Sequence, residues 1–469
     1  MYRVSFVWAR ECLRSATAGV CVAATLLCSN ALPAFADEQA DQVTLMRQQL
    51  KLQAEQIRRM QAQLDRMGAV ASAREPATSP PPASGPVKAA AEVPGASPLT
   101  VVSGNGRVKL TLSGQINRDF IAHSDGSGKV NTYFADNNVS SSRLRALATA
   151  AINNDTSVTG ALEFDMRSNS SASVSRTSSN NNGEDTPILG AFRIRRAEMG
   201  ISSQTYGTVL FGRGSTYADL ITAVDYSGTF LASSSGPADM FGGLKFADRY
   251  GTQRRTTDPS VAQVLGGIDG PRDDRIRYDS PQWNGLSAGG SIGQGGYWDV
   301  GARYAASFAG TRVGAAIAYI DWSSTLPARY SEDGSSPAIL YFTRTVAGSA
   351  SVMLPSGLNL TAAASWSPHN TQCCAGVAND QDSVNWYTKA GYAWPLFYTD
   401  KPFAVSVDYG QTYNQYQNND TATRVGVAVG QTVFNDVELY ASLHRITLDR
   451  PGSTFLPSIV GLTGARLQF

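Results

Sequence analysis

The chain has 469 residues, 42% of them hydrophobic and only 16% charged, with a formal net charge of +1. A balance so close to zero gives no global field for nucleic acid or an anionic surface, so any electrostatic selectivity must come from where single charges sit. No window approaches the ~20 apolar residues that a membrane helix needs, which excludes an α-helical membrane protein.

Residues 1–36 read as an export signal. Arg3, Arg10 and Arg14 precede an apolar run through Val20, Val22, Leu26 and Leu27, and Ala34-Phe35-Ala36 offers a small-residue cleavage site before Asp37. Cys28 follows bulky Leu27, which suits a lipoprotein site poorly. The two cysteines outside the signal, Cys373 and Cys374, are adjacent in a polar stretch where only His369 and Asp380 could complete a metal site. A loop pair is the plainer reading, and no metal or other cofactor is expected.

Residues 37–67 carry heptads. Val43, Leu50, Ile57 and Leu64 occupy one core position, and Met46, Gln53, Met60 and Met67 the other. That stripe can be buried only against other copies, so a short periplasmic coiled-coil helix is expected. At 1.5 Å per residue it would be a rod of about 37 Å, short enough that the oligomer must be held mainly elsewhere. Residues 68–106, with seven prolines among Ala, Ser and Gly, read as an extended linker.

From residue 107 to 469 the period becomes two. Val108, Leu110, Leu112 and Ile116 alternate with Lys109, Thr111, Ser113 and Asn117, and the pattern recurs in Leu144/Ala146/Ala148/Ala150, Val313/Ala315/Ile317/Tyr319 and Val425/Val427/Val429. Many runs exceed the ~5–6 residues of a soluble strand and reach the ~9–11 that cross a bilayer at a tilt. Short turns alternate with long polar loops. The expected fold is an all-β membrane protein, an antiparallel transmembrane β-barrel of about sixteen strands. Six tryptophans of the mature chain fall near strand ends, where interfacial girdles stand.

Several segments resemble the Gram-negative outer-membrane porins. Tyr206-Gly207-Thr208-Val209-Leu210-Phe211-Gly212-Arg213, followed by a long insertion, is similar to the strand before the family's constriction loop. Arg275-Ile276-Arg277-Tyr278-Asp279-Ser280-Pro281-Gln282-Trp283-Asn284-Gly285-Leu286 resembles the strand-turn-strand after it, and Ser142-Arg143-Leu144-Arg145 and terminal Phe469 resemble further signatures. The preceding heptads resemble those of the DcaP-like porins, a trimeric subfamily associated with small anionic solutes. The resemblance implies a homotrimer in outer-membrane lipid and lipopolysaccharide, an N-terminal segment in the periplasm in reach of peptidoglycan, and passive diffusion of small hydrophilic solutes.

Parity then names the pore lining. Arg143, Arg145, Arg275, Arg277, Arg303, Arg312, Arg424, Arg466 and Lys389 sit opposite the apolar face of their strands, with Glu163 and Asp165 among them. Of 39 basic residues 32 are Arg, whose planar fork binds carboxylates. Pairing with Glu163, Asp165, Asp279 or Glu438 is the alternative use of this set. Residues 214–272 are too long for an ordinary connection; the resemblance folds them inward, carrying Asp219, Asp225, Asp239 and Asp248 toward the arginines. It also turns Arg213 to the constriction, whereas alternation with Val209 and Phe211 turns it outward. Around Arg193, Arg195, Arg196 and Glu198 the two ends of one strand give opposite faces, which a bulge would reconcile. An anchor or adhesin barrel and a barrel enzyme are the other classes. Ser442 and His444 share a face, but parity makes it the lumen, closed to a lipid substrate.

Overall fold

The computed structural model of the protein describes Glu55 and residues 99–103, 106–176, 192–250, 258–266, 269–322, 344–368, 380–395, 402–434 and 436–469. The chain divides into two compact units, 1–85 and 86–469, and the second is described below. The expected signal, the coiled coil and peptidoglycan-facing segment apart from Glu55, most of the linker, and Cys373-Cys374 lie outside the described residues.

In chain order the strands are β1 Leu99–Val102, β2 Val108–Ser124, β3 Val130–Asp136, β4 Ser142–Ala151, β5 Thr156–Met166, β6 Phe192–Ser203, β7 Gly207–Ser215, β8 Arg272–Asp279, β9 Leu286–Gly293 and β10 Trp298–Phe308. They continue with β11 Thr311–Asp321, β12 Arg344–Met353, β13 Leu358–Ser367, β14 Ser383–Pro395, β15 Pro402–Tyr413, β16 Thr421–Val433, β17 Val437–Arg450, β18 Ser453–Thr454 and β19 Ser458–Gln468. Sixteen of these, all except β1, β3 and β18, pair antiparallel with both neighbours. β19 closes on β2 from Ile459↔Ser124 to Gln468↔Gln115, so no long sheet edge is left open.

The cylinder is inverted relative to a soluble protein. Along β13, Leu358, Leu360, Ala362, Ala364 and Trp366 are exposed while Asn359, Thr361, Ser365 and Ser367 are buried. Apolar side chains outside and polar ones inside is the distribution that lipid outside and water inside require. Tight turns such as 354–357 join strands at one end. There Gly357, at φ 92°, donates to the Leu354 carbonyl and accepts from the Ala393 N–H, a left-handed position that suits glycine.

Three short strands were not anticipated. β1 lies inside the predicted linker and pairs with the foot of β2, Leu99↔Leu112 to Val102↔Lys109. Phe469 hydrogen-bonds both ways with Gly114, so β1 continues the slot of β19 directly below the C-terminal residue. β3 takes the upper half of β2 while β4 takes the lower. Residues 137–141, between them, turn inward, and Asn137 donates to Asp119, Tyr440 and the Leu231 carbonyl. β18 is a two-residue pairing with the end of β17.

Of the connection from β7 to β8, residues 216–246, 258–266 and 269–271 pack against the inner face of the barrel. Its backbone is held by inward side chains: Tyr217 N–H by Ser291, Ala218 N–H by Asp299, Val224 N–H by Ser349 and Tyr226 N–H by Ser351. Two short helices, α1 Pro237–Phe241 and α2 Val261–Val264, stiffen it, the second with a capping box between Ser260 and Gln263. Met240, Phe241, Leu244, Phe246, Val261 and Val264 pack on Ile121, Ile446, Leu448 and Val460. Those barrel residues break the rule of polar groups inside because this loop covers them.

Candidate pore constriction

The side of the lumen formed by β4, β5 and β6 carries a cluster of guanidiniums. Arg143, Arg145 and Arg195 converge on Glu163 at 3.5, 2.7 and 2.9 Å. Asp165 takes Arg167 at 2.8 Å and Arg195 at 3.3 Å. Among the described residues, four guanidiniums thus meet at two carboxylates. Arg195 is there because the register of β5 and β6 shifts: Glu163 faces Arg196 and Phe164 faces Ile194, leaving Arg195 as the extra residue. This is the bulge that the opposing parities of the strand called for, and it lets Phe192 and Ile194 stay exposed while Arg195 and Arg196 turn inward.

Next along the wall, Arg196 and Arg275 both bind Glu198. Arg275 also donates to the Ser215 and Gly212 carbonyls and is almost wholly buried. Arg277 pairs with Asp279 and donates to the Thr216 carbonyl; Arg303 donates to the carbonyls of Tyr217 and Asp219. These arginines grip the first residues of the inner loop. Arg312 lies over the Tyr226 ring at 4.3 Å, and Arg466 pairs with Glu438.

Farther along the loop the cations are sealed. Lys389, with no exposed side-chain surface, reaches Asp225, Ser227, Thr229 and the Ser233 carbonyl. Arg424 binds Asp408 at 3.1 Å and the Ser234 carbonyl at 2.7 Å, and His444 contacts the Ala232 carbonyl. Lys389, Arg424 and Arg275 were expected to line the pore; they are on the inner face, as parity requires, but the loop covers the first two and the wall encloses the third. Asp225 is held in the same seam.

Of the loop acids, Asp219 pairs with Arg272 at 3.1 Å, and Asp239 accepts from Asn138. Asp248 bridges in backbone register to Phe455, among the outer connections. Asp269 was missed by the sequence reading. Its carboxylate accepts the Thr222 N–H and hydroxyl at 2.8 and 2.7 Å; burial pushes its pKa up to about 6 against those bonds, with nearby Asp219 and Asp239 adding to the rise. Arg213 is a correction to the resemblance. It stands opposite Asp274, 3.8 Å away, on the face that bears Phe211 and Ile276, and donates to the Ile194 carbonyl; plain alternation placed it correctly. Asp408 was also missed, although Val407 and Tyr409 beside it would have turned it inward opposite Lys389.

The profile of the Gram-negative porin family matches residues 77–451. Among solved structures, the chain is similar to the anion-selective porin from Comamonas acidovorans, at 15% identity over 77% of this chain and 100% of that one, with a TM-score of 0.48. It is also similar to the in-vitro folded OmpT of Vibrio cholerae, at 12% over 77% and 98% with a TM-score of 0.47. The outer membrane channel DcaP of Acinetobacter baumannii gives 12% over 79% and 99% with a TM-score of 0.46. No curated protein matches. The family match covers most of the chain and agrees with a closed sixteen-stranded barrel carrying an inner loop, so this chain belongs to the Gram-negative porins of the outer membrane.

Proposed function

We propose that this outer-membrane channel passes small hydrophilic solutes by passive diffusion, as a homotrimer set in lipid and lipopolysaccharide, with a preference for anions such as small carboxylates. The supporting observation is the sharing of Glu163 and Asp165 by Arg143, Arg145, Arg167 and Arg195. Several guanidiniums gathered on one side of a narrow, low-dielectric passage give a local positive potential, which lowers the barrier for an anion. Side chains of Arg143 and Arg145 retain 16% and 28% exposure, enough to meet a solute. Size selection follows from the inner loop, which narrows the water-filled section.

Purified full-length protein in a planar bilayer across a potassium chloride gradient tests this. Conductance with a reversal potential on the chloride side is expected. Cation preference would overturn the anion reading, and absence of conductance would favour an anchoring barrel instead.

A further inference from the structure

We propose that residues 137–141, the turn between β3 and β4, form a second constriction element: they aim the Arg143 guanidinium into the passage and bound that passage together with the inner loop. Ser140 is then a positioning residue for Arg143, and Asn138 the residue that ties the turn to the loop. The proposal rests on the reading of this chain as an anion-preferring channel and deepens it.

The turn enters the lumen because of the way β2 is shared. Its upper partner ends at Arg118↔Asp136 and its lower partner begins at Gln115↔Arg143, so residues 137–142 stand opposite only Ile116 and Asn117. The surplus chain cannot lie in the sheet, and on the outer side its backbone would meet hydrocarbon without partners. On the inner side it finds them. Gln115 Nε2 donates to the Ser140 and Ser141 carbonyls at 2.9 and 2.8 Å, and Asn117 Nδ2 to the Ser140 carbonyl at 2.9 Å. Asn137, wholly buried, accepts the Ser140 N–H at 3.2 Å, and Val139 packs on the apolar cluster of the inner loop.

This turn, more than Glu163, directs Arg143. The Arg143–Glu163 contact is 3.5 Å, long for a charge-assisted bond. Nε, by contrast, donates to the Ser141 carbonyl at 3.0 Å, and Nη2 to the Ser140 hydroxyl at 2.8 Å. Neutral oxygens fix the plane of a guanidinium without cancelling its charge. The Ser141 hydroxyl extends the grip to the rest of the cluster, donating to Asp165 at 3.2 Å and accepting from Arg195 at 3.3 Å.

The other side of the turn meets the inner loop. Asn138 Nδ2 donates to the Asp239 carboxylate at 2.7 Å, on the solvent-exposed edge of the junction, and Asn137 Nδ2 to the Leu231 carbonyl at 3.3 Å. The Ser171 hydroxyl accepts the Asn138 N–H and donates to the Asp239 carbonyl, which locks the β5–β6 connection into the same junction. Ser140 therefore holds the arginine wall and Asn138 holds the loop from residues two apart in one turn, so the turn couples where the charge points to how far the loop stands from it.

Single-channel recording across a potassium chloride gradient tests the two roles separately, on full-length variants whose barrels are verified by heat-modifiable migration on electrophoresis. Ser140→Ala removes the hydroxyl acceptor, and the reversal potential should shift away from chloride preference. Ser140→Thr should restore the unaltered value, and in an Arg143→Ala background Ser140→Ala should add no further shift. A purely structural role for Ser140 would instead give no shift, or equal shifts with and without Arg143, and either result would overturn the aiming of Arg143. Asn138→Ala should raise unit conductance and the size of sugar admitted in a liposome-swelling assay; no change in either would overturn the shared boundary. An unaltered channel without anion preference would overturn the proposed selectivity and this inference with it, whereas an anion-preferring channel indifferent to Ser140→Ala would overturn the inference alone.

Discussion

Glu163 holds three guanidiniums at once, and its removal has consequences of opposite sign. With Glu163→Gln, Arg143, Arg145 and Arg195 lose their shared carboxylate, so the local positive charge grows and the reversal potential should move toward greater anion preference. The same change should cost about 3 kcal/mol, the low end for breaking a buried ion pair because two of the arginines keep contact with water; a lower urea midpoint in lipid vesicles would register it. Arg143→Ala with Arg145→Ala should do the reverse to selectivity. Asp269 gives the pore a pH dependence. Its folded pKa, about 6, lies above the ordinary 3.8, so the packed loop holds a proton through a range in which an unpacked aspartate has lost it. Packing is therefore fully supported only below the ordinary 3.8, weakens as pH rises from there to about 6, and changes no further above it. As pH falls through about 6 the loop also loses a negative charge, and anion preference should increase. Asp269→Asn should flatten that profile, and a profile unchanged by the substitution would remove Asp269 from the account.

Among the elements, the strands were the most legible part and the loop the least. Alternation depends on each residue's own side chain, so β13 or β16 could be read directly, and the conflict between Ile194 and Met199 even signalled the bulge at Arg195. β1 and β3 escaped because their pairing depends on which part of the long β2 is left free by β19 and β4, a property of the closed sheet. Parity assigns a face but does not say what covers it. Lys389 and Arg143 both read as inward, yet one is sealed beneath residues 225–233 and the other meets solvent, a difference set by a loop nearly two hundred residues away in sequence from some of its contacts. That seam makes its own prediction. Lys389→Met leaves Asp225 buried without its cation, a loss of about 3–5 kcal/mol. The loop should loosen, seen as larger and noisier single-channel currents and as new protease cleavage within residues 225–234.

For the whole molecule, every group argued to act on solutes lies beyond residue 107. Removal of residues 37–85 should therefore leave single-channel conductance and its ion preference as they are. A change in either would assign the N-terminal segment a part in conduction. The barrel has an apolar exterior because its solvent there is hydrocarbon, while the apolar interior patches among the described residues lie where the inner loop packs. One covalent chain thus supplies both the channel and the body that narrows it.

The placement of β1 under Phe469 bears on how the protein can be handled. Two further residues in the line of β19 would arrive opposite Leu112, the position that Leu99 already holds. Any chain that continues past Phe469 must therefore either evict Leu99–Val102 from the sheet or bend away at once.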